Sequence, residues 1–264
     1  GLHNVELNTP ATRFDAAGLA TQADEIGARV ERTAAALGRA DRRLALDAMW
    51  AIPPAGGTDA YLGAVREVDG LTVAERMRSS PRYHALDNEV LERGGGGIDL
   101  SLPGVDRRLD TILVESLATS IQPHLQVPRV ADLPRVHDLA VRTMGPLLAL
   151  AANSPFLPAD WYDDGDAGAV EAGYHELRIP VFEQGINAGR PPGEGNVRVP
   201  EDLGEPAAVP ERVAADPTYA PVLSDDEDED DEPGRYRDLI PEYDHKRGVH
   251  WRWVRVVVGR AHRL

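Results

Sequence analysis

The chain contains no cysteine. Disulfides, thiolate metal sites and a cysteine nucleophile are thereby excluded from this stretch. Lysine is almost as scarce: of 28 basic residues, Lys246 alone is a lysine. Basic residues as a class are outnumbered by 44 acids, for a formal net charge of -16. Binding to a phosphate backbone requires a basic footprint, so no nucleic-acid partner is expected. Long apolar runs are missing too. The longest, residues 144–152, is about half of the roughly 20 residues that a membrane-spanning helix needs, so no membrane partner is expected. No signal peptide is visible, and a cytoplasmic location is the expectation. There is no internal repeat.

What is present begins with the carboxylates. A preference for arginine over lysine can follow from a GC-rich genome, but that bias does not produce an acidic excess. High salt screens the self-repulsion of a large net charge, and an acidic, lysine-poor protein fits a salt-loaded cytoplasm. With 264 residues the chain can form one large domain or two smaller ones. Residues 3–9 read as a strand entered in midcourse and residues 251–258 as a final strand, each a sheet edge lacking a neighbour, so a fragment of a longer protein is expected.

Between these ends Asp15 can cap a helix over residues 15–37, with Leu19, Ala23, Ile26, Val30, Ala34 and Leu37 as an apolar face that should pack on a sheet. A loop at residues 53–57 and a short helical pattern over 61–65 follow. A further helix starts at Ser80-Pro81 and runs to Leu91, and Gly94 to Gly97 break the chain. A longer helix over residues 133–152 carries Val136, Leu139, Ala140, Met144, Leu147 and Leu148 as its stripe, with Pro146 placed to kink it.

The segment Thr119-Ser120-Ile121-Gln122-Pro123-His124-Leu125-Gln126-Val127-Pro128 alternates when read as a strand. Ser120, Gln122, His124 and Gln126 share one face; Ile121, Leu125 and Val127 share the other. Such a polar face suits either a ligand cleft or contact with water. From residue 185 to 234 proline, glycine and acid replace periodic hydrophobics, ending in an acidic run at 224–232. We read 185–244 as a divergent insertion whose acidic run is solvated and disordered. A calcium site is the alternative, but the glycine and ligand spacing of an EF-hand loop is absent.

Four segments, in order, resemble the glutamate-cysteine ligase family, ATP-dependent carboxylate-amine ligases related in fold to glutamine synthetase. Val5-Glu6-Leu7-Asn8-Thr9-Pro10 is similar to the family's strand motif running into Thr-Pro, and Arg82-Tyr83 to an Arg-Tyr that opens a helix. Ile121-Gln122-Pro123-His124-Leu125 is similar to its polar strand. LLALAANSPF, ending at Phe156, matches most closely. Downstream of these four, Gly173-Tyr174-His175-Glu176-Leu177-Arg178 resembles a Gly-Tyr-x-Ser-x-Arg element, with Glu176 at the serine position. An initial Gly-x-Glu-x-Glu strand and a later Glu-x-Arg strand are missing from the pattern and would lie outside this chain.

The resemblance implies a single catalytic domain over residues 1–264, incomplete at both ends. Its fold would be α/β of the α+β kind: a curved, predominantly antiparallel sheet around a cleft, with the helices at 15–37 and 133–152 on the outer face. It implies ATP and Mg2+ as cofactors, glutamate and an amine such as cysteine as substrates, and an acyl-phosphate intermediate. Glu6 is then the metal ligand, against a reading as an exposed strand glutamate. Gln122 and His124 would face the nucleotide, against a structural hydrogen-bonding role, with Pro123 marking a bulge or an edge. Arg178 would clamp a carboxylate or phosphoryl oxygen, against a surface ion pair. Arg255 is a second such candidate on the last strand, and residues 153–156 shape a helix end. The product would be a γ-glutamyl amide, most simply γ-glutamylcysteine. Another amine or acid, or a non-catalytic descendant, are the alternative readings.

Overall fold

The computed structural model describes residues 1–163, 167–191, 193–219, 243 and 246–257. The chain divides into two units, Leu2–Asp47 and, together with Gly1, Ala48–Leu264.

In the first unit Asp15 holds an extended backbone, and its carboxylate accepts the Gly18 N–H at 2.8 Å, which starts helix α1 (Ala16–Arg39) as its capping chemistry dictates. The segment before it is tied to the helix by one amide. Gln22 accepts the Thr9 hydroxyl at 2.7 Å and donates to the Pro10 carbonyl at 2.6 Å. Residues 3–9 form no strand, since no neighbouring chain among the described residues supplies a ladder to them. Nor does this unit hold, among its described residues, a sheet on which the α1 stripe could pack as expected. Leu19 and Ile26 remain exposed, and Gly18 is the helix's one buried residue.

The second unit is built from two hairpins and the helices that grip them. Strands β1 (Val65–Val68) and β2 (Leu71–Ala74) pair antiparallel around Asp69-Gly70, both at positive φ, the left-handed pair that a two-residue turn matching strand twist requires. Strands β3 (Ile98–Leu102) and β4 (Val105–Leu109) pair around Pro103-Gly104. Gly104, at φ +73°, has no room for a side chain: a Cβ there would lie 2.2 Å from that of Ala169. Ile98, Leu100, Leu102, Val105 and Leu109 point from the second hairpin into the core, at the alternation expected of a strand with one buried face.

Short α2 (Thr58–Leu62) precedes the first hairpin, and α3 (Pro81–Arg93) follows it with Pro at its first turn, as read from Ser80-Pro81. Beyond β4 comes a 3-10 helix, Ile112–Leu117, with five of its six residues buried. Then come α4 (Leu133–Ala151), α5 (Ala167–Ala172), α6 (Arg178–Ile186) and α7 (Ala208–Ala215). Leu86, Val90 and Leu91 of α3 and Val181 and Ile186 of α6 enclose the 3-10 helix and β3 together with Met49, Leu157 and Trp161. Val197, Leu203, Val209, Val213 and Tyr219 are also buried, so the part of the divergent region before residue 220 contributes core. The acidic run at 224–232 lies outside the described residues. Among the described residues no helix is long and apolar enough to cross a membrane.

The fold is α+β with antiparallel pairing, but the single curved sheet is, among the described residues, two separate two-stranded ribbons. The reason is visible at their edges. Asn88 of α3 accepts the Thr72 N–H at 2.9 Å and donates to the Thr72 carbonyl at 2.7 Å, occupying the β2 edge. Gln184 of α6 does the same to Ser101 on β3, at 2.8 and 3.1 Å. Each amide takes the place of the next strand. Helix α4 is also turned from its expected stripe. His137 is its one fully buried residue, Val136, Ala140, Met144 and Leu148 are half-buried, and Leu139 and Leu147 are exposed. Polar ties set this rotation: the Leu203 N–H donates to Asp138 at 2.8 Å, and Arg142 donates to Asp202 at 2.6 Å.

Residues 119–128 and 251–257 are not strands either. The first is irregular from Ser120 onward, because Pro123 and Pro128 lack the N–H of a ladder and no chain pairs with it among the described residues. The second makes one parallel bridge, Arg198 to Arg252.

Asp87 joins α3 to the 3-10 helix. Its fully buried carboxylate accepts the Thr111 hydroxyl at 2.9 Å and the Ile112 N–H at 2.7 Å. Burial raises its pKa to about 6 against the pull of those two bonds, and burial raises Glu115, on the same 3-10 helix, to about 7, with the Asp87 charge adding to it. Both groups hold their protons more tightly folded than unfolded, so their stabilisation is complete below about pH 4 and is lost as the pH rises through 6 to 7. The unfolding free energy should therefore be larger at pH 5 than at pH 8, by on the order of 1 kcal/mol from Asp87 alone, and Asp87→Asn should remove that share in urea titrations at the two pH values. Asp87→Ala, which strands the Thr111 and Ile112 donors, should cost about 2 kcal/mol at pH 8 and on the order of 1 kcal/mol more at pH 5.

Candidate functional site

Three distant parts of the chain meet where α4 ends and α6 begins. Ala152 turns the chain out of α4 in an extended conformation, and Ser154 then bridges Glu176 in parallel. The Ser154 N–H donates to the His175 carbonyl at 3.2 Å, and the Leu177 N–H donates to the Ser154 carbonyl at 2.9 Å. This pairing buries the Ser154 hydroxyl and the Glu176 carboxylate together, and the hydroxyl donates to Oε1.

Arg178 completes the cluster. Its Nε and Nη2 donate to the two Glu176 oxygens at 2.5 and 2.7 Å, a two-pronged match of guanidinium to carboxylate. Nη2 also donates to Asn153 Oδ1 at 3.1 Å and Nη1 to the Thr119 carbonyl at 2.6 Å. Burial alone would raise the Glu176 pKa, but the hydrogen bonds from Arg178 and Ser154 and the adjacent positive charge outweigh it and hold the group below its ordinary value. Thr119 is anchored from behind as well, its N–H donating to the Ala48 carbonyl at 2.9 Å.

Each candidate from the sequence can be located against this cluster. Gln122 and His124 lie exposed on the irregular segment that leaves Thr119. Glu6 lies in the other unit, exposed, three residues before the Thr9-Pro10 pair that Gln22 ties to α1. Along 252–257 exposure alternates, with Arg252 buried, Val254 and Val256 half-buried and Trp253, Arg255 and Val257 exposed; the Arg255 guanidinium is nonetheless partly buried, its Nη1 lying 3.5 Å from the His250 carbonyl, and that burial, with the Arg247 charge, lowers its pKa. Among the described residues no group of three or more His, Asp or Glu side chains is gathered as a metal site.

The inward arginine of that segment belongs to a second polar cluster, absent from the sequence reading. Arg252 Nη2 donates to Asp216 Oδ1 at 2.5 Å, Asp216 Oδ2 pairs with His250 Nδ1, and Arg252 Nη1 donates to the Asn196 carbonyl. All are buried. Burial opposes ionisation of Asp216, yet the His250 hydrogen bond and the Arg252 charge keep its pKa below the ordinary carboxylate value. The period-two spacing of His250 and Arg252 was the available signal, since it puts both on one face of an extended segment.

The comparisons with known proteins give one family. The family model for glutamate-cysteine ligase family 2 matches residues 1–258. Neither a curated protein nor a solved structure matches the chain. The breadth of the family match places the chain in a class of ligase-type enzymes that act on a carboxylate and an amine, with small-molecule substrates. The chain belongs to glutamate-cysteine ligase family 2.

Asp216 supplies the charge that balances Arg252, whose side chain is 4% exposed. Asp216→Ala leaves a buried guanidinium without its counterion and should destabilise the protein by about 3 kcal/mol or more, read as a lowered midpoint in urea unfolding.

Proposed function

We propose that this protein is an ATP- and Mg2+-dependent carboxylate-amine ligase that forms a γ-glutamyl amide, γ-glutamylcysteine in the simplest case. The observation that carries the reading is the family match over residues 1–258, together with the meeting of three of its motif-like segments at Thr119, Asn153-Ser154 and Glu176-Arg178. Joining a carboxylate to an amine is uphill. ATP makes it feasible by phosphorylating the carboxylate, and the amine then displaces phosphate from the acyl phosphate. A glutamine-synthetase-like arrangement and a cytoplasmic setting go with this reading.

Taken singly, the side chains have the donor chemistry that ATP and Mg2+ require. Magnesium is a hard cation that uses one or two carboxylates and fills its remaining positions with phosphate and water, and Glu6 offers an exposed carboxylate. The Gln122 amide and the His124 imidazole are exposed donors for phosphate oxygens, and the partly buried Arg255 guanidinium is a further cation for an anionic substrate group.

Glu6→Gln keeps the size of the side chain and removes its charge. Because Glu6 is exposed, the melting temperature should stay where it is, while phosphate release from ATP in the presence of glutamate and cysteine falls about 10- to 100-fold, with partial recovery at raised Mg2+. Unchanged turnover would remove Glu6 from the site. ATP consumption that requires an amine other than cysteine would keep the ligase chemistry and change the product.

A further inference from the structure

Arg178 presents a physical contradiction if it clamps a substrate. A guanidinium offers five N–H donors, and four are engaged: Nε and one of Nη2 on Glu176, the other Nη2 donor on Asn153, and one of Nη1 on Thr119. The two-pronged edge that would receive a carboxylate or phosphoryl group already holds a carboxylate. That carboxylate is itself fixed. Glu176 is buried, bonded by the Ser154 hydroxyl, and carried on backbone paired with Ser154. Displacing it would leave a buried charge without a partner, at a cost a weakly binding substrate does not repay.

What Arg178 does reach is the backbone of the polar segment. Residues 117–119 are laid against 48–50: the Trp50 N–H donates to Leu117, Met49 bridges Ala118, and the Thr119 N–H donates to Ala48. After Thr119 these bonds stop. From Ser120 to Pro128 no backbone–backbone hydrogen bond is made to another described residue, and the Arg178 bond to the Thr119 carbonyl holds the chain just before it reaches Gln122 and His124. Pro123 fixes its own φ and keeps Gln122 extended, which limits the turns open to the chain between those two side chains.

We infer that Arg178 is a positioning residue: with Glu176 as its permanent internal counterion, it sets the direction in which residues 120–124 leave Thr119 and so presents Gln122 and His124. The consequence for activity rests on the ligase reading above; the consequence for the segment does not. Glu176 is part of the device, because it fixes the guanidinium plane that aims Nη1 at Thr119. A lysine at 178 keeps the charge and loses the fork.

The test has two readouts on the full-length chain. Because the chain has no cysteine, Ile121→Cys, an exposed position two residues past the pin, takes a single nitroxide label. In Arg178→Lys and in Glu176→Gln the label should become several-fold more mobile by electron paramagnetic resonance. Asn153→Ala, a milder loss from the same guanidinium, should give a smaller change if either of the others does not fold. In ligation assays both main variants should raise the ATP KM about tenfold and change kcat by less than about threefold. The opposite pattern overturns the inference: an unchanged label spectrum, with Arg178→Lys losing about 100-fold in kcat and Glu176→Gln retaining or gaining turnover, is the signature of a substrate clamp released from its internal partner. If the wild type uses no ATP with any amine, the ligase reading falls, and the label alone decides whether Arg178 positions the segment.

Discussion

The buried carboxylate of Asp87 is the constraint on which the larger unit rests. It is a costly group to place in a core, tolerated because Thr111 and Ile112 satisfy it and because protonation near neutral pH is open to it. By accepting those bonds it docks the N-terminus of the 3-10 helix Ile112–Leu117 onto α3, and that helix has five of its six residues buried. Its C-terminal end continues into the bridge with residues 48–50 and then to Thr119. The stability of the core and the placement of the polar segment are thus linked through one short stretch of chain.

Around that stretch a single device recurs. Asn88 on Thr72, Gln184 on Ser101 and Asn187 on Val197 each use one amide to satisfy both the N–H and the C=O of one residue elsewhere in the chain. A primary amide has the same donor–acceptor arrangement as a peptide group, so it can close a strand edge without a further strand. The small ribbons of this protein are held by helices through such brackets rather than by a wide sheet.

The two ion-paired clusters differ in consequence. At Asp216, Arg252 and His250 the polar groups are enclosed and contribute to the packing of residues 195–219 against 249–252. At Glu176 and Arg178 the pair is enclosed on the glutamate side and half-exposed on the arginine side, and its remaining donors reach an adjoining segment. A guanidinium in that position transmits geometry: it is rigid, always charged, and bonded in several directions at once.

Local chemistry made much of this legible in advance. Asp15 and Pro81 start helices because an N-cap acceptor and a fixed φ act within one turn, and the glycines after α3 end it for an equally local reason. The Asp69-Gly70 and Pro103-Gly104 turns carried the same kind of signal for the two hairpins that were not read out. The family, too, was legible, because LLALAANSPF and its companions are contiguous in sequence. What only the tertiary structure decided is which polar groups pair across the chain. Alternation places Gln122 and His124 on one face, but it cannot supply the neighbouring strand that would make a ladder of residues 119–128. Nor could spacing show that Glu176, a near neighbour in sequence, fills the fork of Arg178, because the pair is held in place by Ser154, Asn153 and Thr119, or that Arg252 turns to Asp216; those partners are distant in sequence and meet only when the core closes.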